Sequence, residues 1–373
     1  MRDALPDRFQ DVRTGPPPDP GDGSVARVGL VGFACATGLG NTARDFYAHL
    51  PFDRWLVLDH PRFGLNRTGL DDRCQIGSLE MPGAEVAAWL AGLDAVFAIQ
   101  AGYAPDLWRL ARRCGVRTAL MPNAEWFAPA HPDVPLIDRF VAPTRSCAEM
   151  LTAVGLGART VEIPHAVDGG RFAFRRRERA DVFLHCRGWG DGDRKGTQFV
   201  LEAARRCPGI PFIVRAQERL EAAWPGNVRL LGATVEPEEQ YTDGDVAIQP
   251  SRYEGVGLPI LEAMACGLPT LVPDAPPMNE YPADRRLVVA GELLQGNLVG
   301  TPFPVVRTDV DALVVAIRAL HGQPIGALSE ASRARVAERG WERLRPAYLA
   351  ALGFIPEPPP LTTPFPTFTP ADA

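Results

Sequence analysis

The chain has 373 residues, more than one hydrophobic core usually serves, so two domains are expected. A hydrophobic content of 46% suits a globular protein, and a formal charge of −6 excludes the basic balance that a sequence-independent grip on nucleic acid requires. Seven scattered cysteines without a C-x-x-C pair read as reduced thiols rather than a disulfide framework or a zinc site.

The first 24 residues and residues 354–373 are rich in proline and read as extended, unpacked tails. The N-terminal stretch lacks the apolar core of a signal peptide, and no run reaches spanning length. A cytoplasmic protein is expected, with room for peripheral contact at the inner membrane face.

From residue 25, "VARVGLVGFA" is a buried strand, followed by the glycine turn and helix of "CATGLGNTARDFYAHL". Strand and helix patterns then alternate through "RWLVLDH", "MPGAEVAAWLAGL", "DAVFAIQ", "APDLWRLARRCG", "RTALMPN", "IDRFVAPT" and "RSCAEMLTAVGL" as far as residue 167. Such alternation means βαβ units around a parallel sheet covered on both faces. The arginine-rich stretch 168–180 reads as an interdomain linker, and a second α/β alternation runs from 181 to 326. A long helical pattern over 327–353 is expected to end the fold, in a position to cross back to the first domain.

Two stretches of the second half carry chemistry. In "QPSRYEGVGLPILEAMACGLPTLVP" a strand ends in a glycine-proline loop that opens a helix, with Glu254 in the loop and Glu262 in the helix. Ligands of open α/β sheets bind at strand carboxyl ends, and the free N–H groups of a helix start attract anions. An ionised carboxylate there can accept ribose hydroxyls. The same two glutamates would also suit a helix-dipole partner and a solvated loop residue. The second stretch, "HCRGWGDGDRKGTQF", is a glycine-rich turn between strand and helix. Of the 39 basic side chains only Lys195 is a lysine, which points to a site that needs a compact ammonium. The order Lys-Gly-Thr excludes a Walker A loop.

With "VAPTRSCAEML" and "IPHAVD", these stretches resemble the retaining, nucleotide-sugar-dependent glycosyltransferases of family 4, over roughly residues 27 to 345. The resemblance implies the GT-B fold, two Rossmann-like doubly wound parallel-sheet domains facing across a cleft. It also implies a metal-independent transfer of sugar from a nucleoside diphosphate donor such as a UDP-sugar, with no further cofactor. By the same resemblance Glu262 holds the ribose, Glu254 touches the transferred sugar, and the backbone of Gly255, Val256, Gly257 and Leu258 meets sugar and phosphate. Lys195 and Arg194 grip the diphosphate, and Gly38 and Gly40 form the first-domain loop facing the donor phosphates. Two departures stand out. Family members usually carry an arginine immediately after the turn glycine, whereas Gly188 is followed by Trp189, which leaves Arg187 or Arg194 to replace it. In place of a first-domain histidine, "MPNAEWF" offers Asn123 and Glu125 near the reacting carbon. The acceptor stays open among lipid, polysaccharide, peptide and small molecule. A phosphorylase or epimerase on the same fold, or a catalytically silent scaffold, would share most of these features. The two Asp-Gly-Asp triplets at 191–193 and 243–245 are expected to be structural rather than metal ligands, and Arg109, Arg112 and Arg113 to form a solvated helix face rather than a lipid contact.

Overall fold

The computed structural model describes residues 26–100, 106–188, 192–217, 224–232, 234, 236–297 and 302–353. Both proline-rich tails and Trp189 lie outside the described residues. The chain divides into two compact units, the first from the described residues of Met1–Pro143, Cys147–Pro164 and Leu344–Pro364, the second from those of Thr144–Ser146 and His165–Arg343.

The first unit holds β1 (Val28–Phe33), β2 (Arg54–Leu58), β3 (Cys74–Gly77), β4 (Ala95–Ile99), β5 (Arg117–Met121), β6 (Arg139–Ala142) and β7 (Thr160–Glu162). They form one sheet in the order β3-β2-β1-β4-β5-β6-β7, and every pairing is parallel. All five residues of β4 are buried, as a central strand covered on both faces requires. Helices α1 (Gly38–His49), α2 (Gly83–Leu90), α3 (Leu107–Arg113) and α4 (Arg145–Ala153) alternate with the strands. Trp89, Trp108 and Phe140 share the largest core of this unit. The three arginines of the α3 pattern are partly accounted for by the fold: Arg109 pairs with Asp133 at 3.1 Å and Arg112 with Asp138 at 2.7 Å.

In the second unit β8 (Phe183–Gly188), β9 (Phe212–Ala216), β10 (Val228–Leu231), β11 (Val246–Ile248), β12 (Thr270–Pro273) and β13 (Val288–Val289) form a parallel sheet in the order β10-β9-β8-β11-β12-β13. Its helices are α5 (Thr197–Arg206), α6 (Leu258–Ala265), α7 (Val310–Leu320) and α8 (Gly326–Ala337). In α5 the buried Phe199, Val200, Ala203 and Ala204 line one face, at the spacing of an amphipathic helix, while Arg205 and Arg206 stay in water. The carboxylate of Asp309 caps α7 by accepting from the N–H groups of Asp311 and Ala312. Residues 168–180 cluster with this unit, and the guanidinium of the buried Arg177 donates to the Tyr241 carbonyl at 2.7 Å.

Two features differ from the sequence reading. A hairpin of β14 (Gly291–Asn297) and β15 (Pro302–Thr308) follows β13, where no strand pair was expected. The helical pattern over 327–353 is broken in two, α8 ending at Ala337 and α9 (Trp341–Ala351) beginning four residues on. The cause is local: the carbonyl of Arg339 accepts from the N–H of Val167 at 2.9 Å instead of continuing the helix, beside Gly340, a poor helix former. The part of α9 from Leu344 belongs to the first unit, where the Tyr348 hydroxyl donates to the Pro164 carbonyl at 2.9 Å and its ring meets Phe46 edge-on at 5.0 Å. No helix among the described residues is long and apolar enough to cross a membrane.

Candidate functional site

In the second sheet β8 is flanked by β9 on one side and by β11 on the other, so strand order reverses between β8 and β11. A crevice opens outside the carboxyl ends of strands at such a switch point. The turn that follows β8 carries Arg194 and Lys195, and the loop that follows β11 carries Ser251 to Gly257. The sequence thus aims both of its chemical stretches at one place.

A single glycine and a buried histidine bring the two together. Gly196 has φ +70°, and a Cβ there would lie 2.0 Å from the carbonyl oxygen of Pro250, so no other residue lets the turn lie against the end of β11. Beneath it, His185 is fully buried, with Nδ1 2.8 Å from the Ile248 carbonyl and Nε2 3.0 Å from the Thr197 hydroxyl. A carbonyl only accepts, so Nδ1 carries the proton and Nε2 accepts from Thr197, the first residue of α5. Burial lowers the imidazole to about 4, the Lys195 and Arg187 charges adding to the effect and the Ile248 bond opposing it. His185 therefore stays neutral and pins the turn to β11. The backbone adds a further tie, the N–H of Arg252 donating to the Arg194 carbonyl at 2.7 Å.

Glu254 lies between the two cations. Its Oε1 is 2.5 Å from Lys195 Nζ and its Oε2 3.0 Å from Arg194 Nη1. Burial alone would raise this carboxyl, but the Lys195 ammonium, the Arg194 guanidinium and a hydrogen bond from Ser251 outweigh it and hold it at about 2. Two cations thus meet on one carboxylate at the switch point, and the Lys195 charge also acts on Glu262. The Arg194 guanidinium also lies 5.6 Å over the Tyr253 ring, which meets Phe303 of β15 edge-on at 5.1 Å. Through these rings the unexpected hairpin braces the site.

The loop then turns into α6 at Gly257, whose φ of +81° favours glycine. The Tyr281 hydroxyl donates to the Val256 carbonyl at 2.5 Å and fixes the loop from below. Gly255, Val256 and Gly257 are buried, and Leu258 begins the helix, whose positive dipole end faces the loop, although Pro259 has no N–H and the N–H of Ile260 donates to the Gly257 carbonyl at 2.9 Å. Glu262 lies one turn further along α6, and its Oε2 accepts from the Tyr241 hydroxyl at 2.5 Å. Burial raises the Glu262 carboxyl, opposed by that hydrogen bond and by the Arg171 and Lys195 charges.

Gly188 ends β8 with φ +58°, and the guanidinium of Arg187 donates to the Gly192 carbonyl at 3.3 Å, within the turn itself. Arg194, not Arg187, is thus the arginine paired with the glutamate. In the first unit Gly38 and Gly40 open α1 directly after β1, at the point where that sheet's order reverses between β1 and β4. A Cβ on Gly40 would lie 2.0 Å from the Cys35 carbonyl oxygen, so the helix start and the preceding loop are in close contact. Glu125 is buried in a single 3₁₀ turn after β5, and Asn123 beside it accepts from the Gln100 side-chain amide at 2.5 Å. Gln100 follows β4 with φ +56°, a left-handed backbone uncommon outside glycine.

The Asp-Gly-Asp triplets serve the fold where they are described. Asp193 accepts from the Gln198 N–H at 3.2 Å and so caps α5, and Asp245 accepts from the N–H groups of Asp181 and Val182 at 3.1 and 2.9 Å. Asp243 pairs with Arg215. Sequence reasoning missed Ser251 and also His185, Tyr241 and Tyr281, the last three of which act by hydrogen bonds to distant positions. Ser251 had one local signal, its place three residues before Glu254 in the same loop.

The chain and its fold have counterparts among known proteins. Residues 181–322, the core of the second unit, match the family model described as glycosyl transferases group 1. The chain is 30% identical over 173 residues to the D-inositol 3-phosphate glycosyltransferases of Mycobacterium bovis and Mycobacterium tuberculosis, 42% of this chain and 34% of theirs. It therefore spans about a third of the length of those curated relatives. Among solved structures, HepE of Anabaena in complex with UDP superposes with a TM-score of 0.67 over 88% of this chain and 99% of that one, at 14% identity. A glycosyltransferase of Rickettsia africae gives 0.66 over 89% and 99%, at 12% identity. The fold is GT-B. Each of its two parallel-sheet units keeps its own switch point, and the charged residues described above gather at that of the second.

Proposed function

We propose that this chain moves a sugar from a nucleoside diphosphate sugar to an acceptor hydroxyl, with retention of anomeric configuration and without a metal ion. The observation that carries the reading is the Lys195–Glu254–Arg194 cluster at the β8/β11 switch, with Glu262 one turn into the helix that follows the Glu254 loop. As the bond between sugar and phosphate breaks, negative charge grows on the leaving diphosphate. Lys195, Arg194 and the positive dipole end of α6 are suited to stabilise that charge, because they are fixed beforehand by their bonds to Glu254 and by the loop itself. Glu254 keeps its charge between them and is available to the hydroxyls of the transferred sugar. Glu262 takes the ribose. Gly38 and Gly40 are assigned to the donor phosphates and Glu125 to the reacting carbon on the family resemblance. In this reading the protein works in the cytoplasm, on a lipid, polysaccharide, peptide or small-molecule acceptor.

Calorimetry with UDP, GDP and ADP in the presence of EDTA tests the donor site, UDP first because the Anabaena neighbour holds it. One nucleotide is expected to bind at micromolar concentration, and Glu262→Ala to weaken it about 10- to 100-fold, the worth of hydrogen bonds to a charged group. Folded protein that binds none of the three sinks the reading. With a donor in hand, consumption of nucleotide sugar distinguishes transfer from silent binding, and NMR of the product reads the anomer.

A further inference from the structure

The second glutamate of the site has a partner outside the loop and helix that carry it. Tyr241 ends the 3₁₀ turn Pro237–Tyr241 and is 1% exposed. It is held at both ends: its carbonyl accepts from the Arg177 guanidinium at 2.7 Å, and its ring meets Phe172 edge-on at 6.2 Å. Its hydroxyl reaches Glu262 Oε2 at 2.5 Å. A hydroxyl this deeply buried keeps its partner, since an unsatisfied buried hydroxyl is costly. The Glu262 carboxylate is therefore not free to spin. One oxygen is turned to Tyr241, and Oε1 carries no hydrogen bond among the described residues.

Building on the donor reading above, we propose that Tyr241 is a positioning residue that orients Glu262 toward the ribose hydroxyls and so makes the site selective for ribonucleoside diphosphates. A carboxylate held in one orientation meets a vicinal diol without first giving up rotational freedom, and that preorganisation is what the tyrosine contributes. The hydroxyl bond also opposes the upward push of burial on the carboxyl, which favours the ionised, accepting form.

The test pairs a single-atom change in the protein with the matching change in the ligand. Tyr241→Phe keeps the ring and its packing against Phe172. It is expected to weaken UDP binding about tenfold, the worth of one hydrogen bond to a charged group, and to leave 2′,3′-dideoxy-UDP within about twofold of wild type. Calorimetry reads UDP, and saturation-transfer NMR reads the weaker dideoxy ligand. A purely structural tyrosine would weaken both ligands alike, and that result, or no change in either, overturns the inference while the donor reading stands. Wild-type protein that binds no nucleotide overturns the donor reading and this inference with it.

Discussion

Lys195→Ala is expected to lower turnover of nucleotide sugar by ~100-fold or more, the cost of about 2.7–4 kcal/mol that follows loss of one fixed electrostatic donor. The ammonium is buried, 2.5 Å from Glu254, and cannot be replaced from solvent. Removing it also takes one of two cations from a buried carboxylate, so the variant must be shown to be folded. Glu254 keeps Arg194 at 3.0 Å and the Ser251 bond, which limits that damage. Lys195→Arg is the sharper comparison. It keeps the charge opposite Glu254 but replaces a compact ammonium with a planar, delocalised fork, so it supplies the buried carboxylate with a partner without supplying the same point charge. It is expected to restore folding stability and not turnover. Wild-type turnover in folded Lys195→Ala would remove the lysine from the chemistry.

The parts of this site that were legible in the sequence are those whose signal is local. A strand, a glycine turn and a helix start announce a phosphate-sized cradle wherever they fall, so Lys195, Glu254 and Glu262 stood out as candidates, while spacing left the glutamates' role open and only the family resemblance gave them one. The single lysine in an arginine-rich chain added an independent pointer. What was not legible depends on pairings between distant residues. Nothing near residue 185 says that its imidazole will join Ile248 to Thr197. Nothing near residue 241 says that its hydroxyl will meet Glu262. The choice between Arg187 and Arg194 was open for the same reason, since both flank the turn and only the folded chain aims one of them at Glu254. The hairpin of β14 and β15 escaped because its strands are interrupted by glycine and proline and pair only with each other. In the first unit the left-handed Gln100 carries no glycine to mark it.

Acid should weaken the second unit between about pH 6.5 and 4, because it buries two neutral histidines whose destabilising effect outweighs the opposing gain from the raised Glu262 and Glu280 carboxyls. Burial chiefly lowers both His165 and His185, each from 6.5 to about 4. When folded, each imidazole refuses a proton until about pH 4, whereas the unfolded chain accepts one near 6.5. Between these values the unfolded state holds more protons, so stability is complete above pH 6.5, declines as the pH falls and levels off below 4. The full shift of one imidazole corresponds to about 3 kcal/mol, so the pair can remove about 6 kcal/mol, a large part of a typical domain's stability. Glu254 acts later: held at about 2 against an ordinary 4.5, its contribution is lost only as the pH falls from 4.5 toward 2. Urea midpoints measured at pH 7.5, 6.0 and 5.0 should therefore fall steadily. His185→Gln, whose amide can donate to Ile248 and accept from Thr197, should flatten that fall by about half, the share of one of two equal histidines. A midpoint that holds constant from pH 7.5 to 5.0 in wild type, and is unchanged by His185→Gln at every pH, would count against a neutral His185 as the pin between β8, β11 and α5.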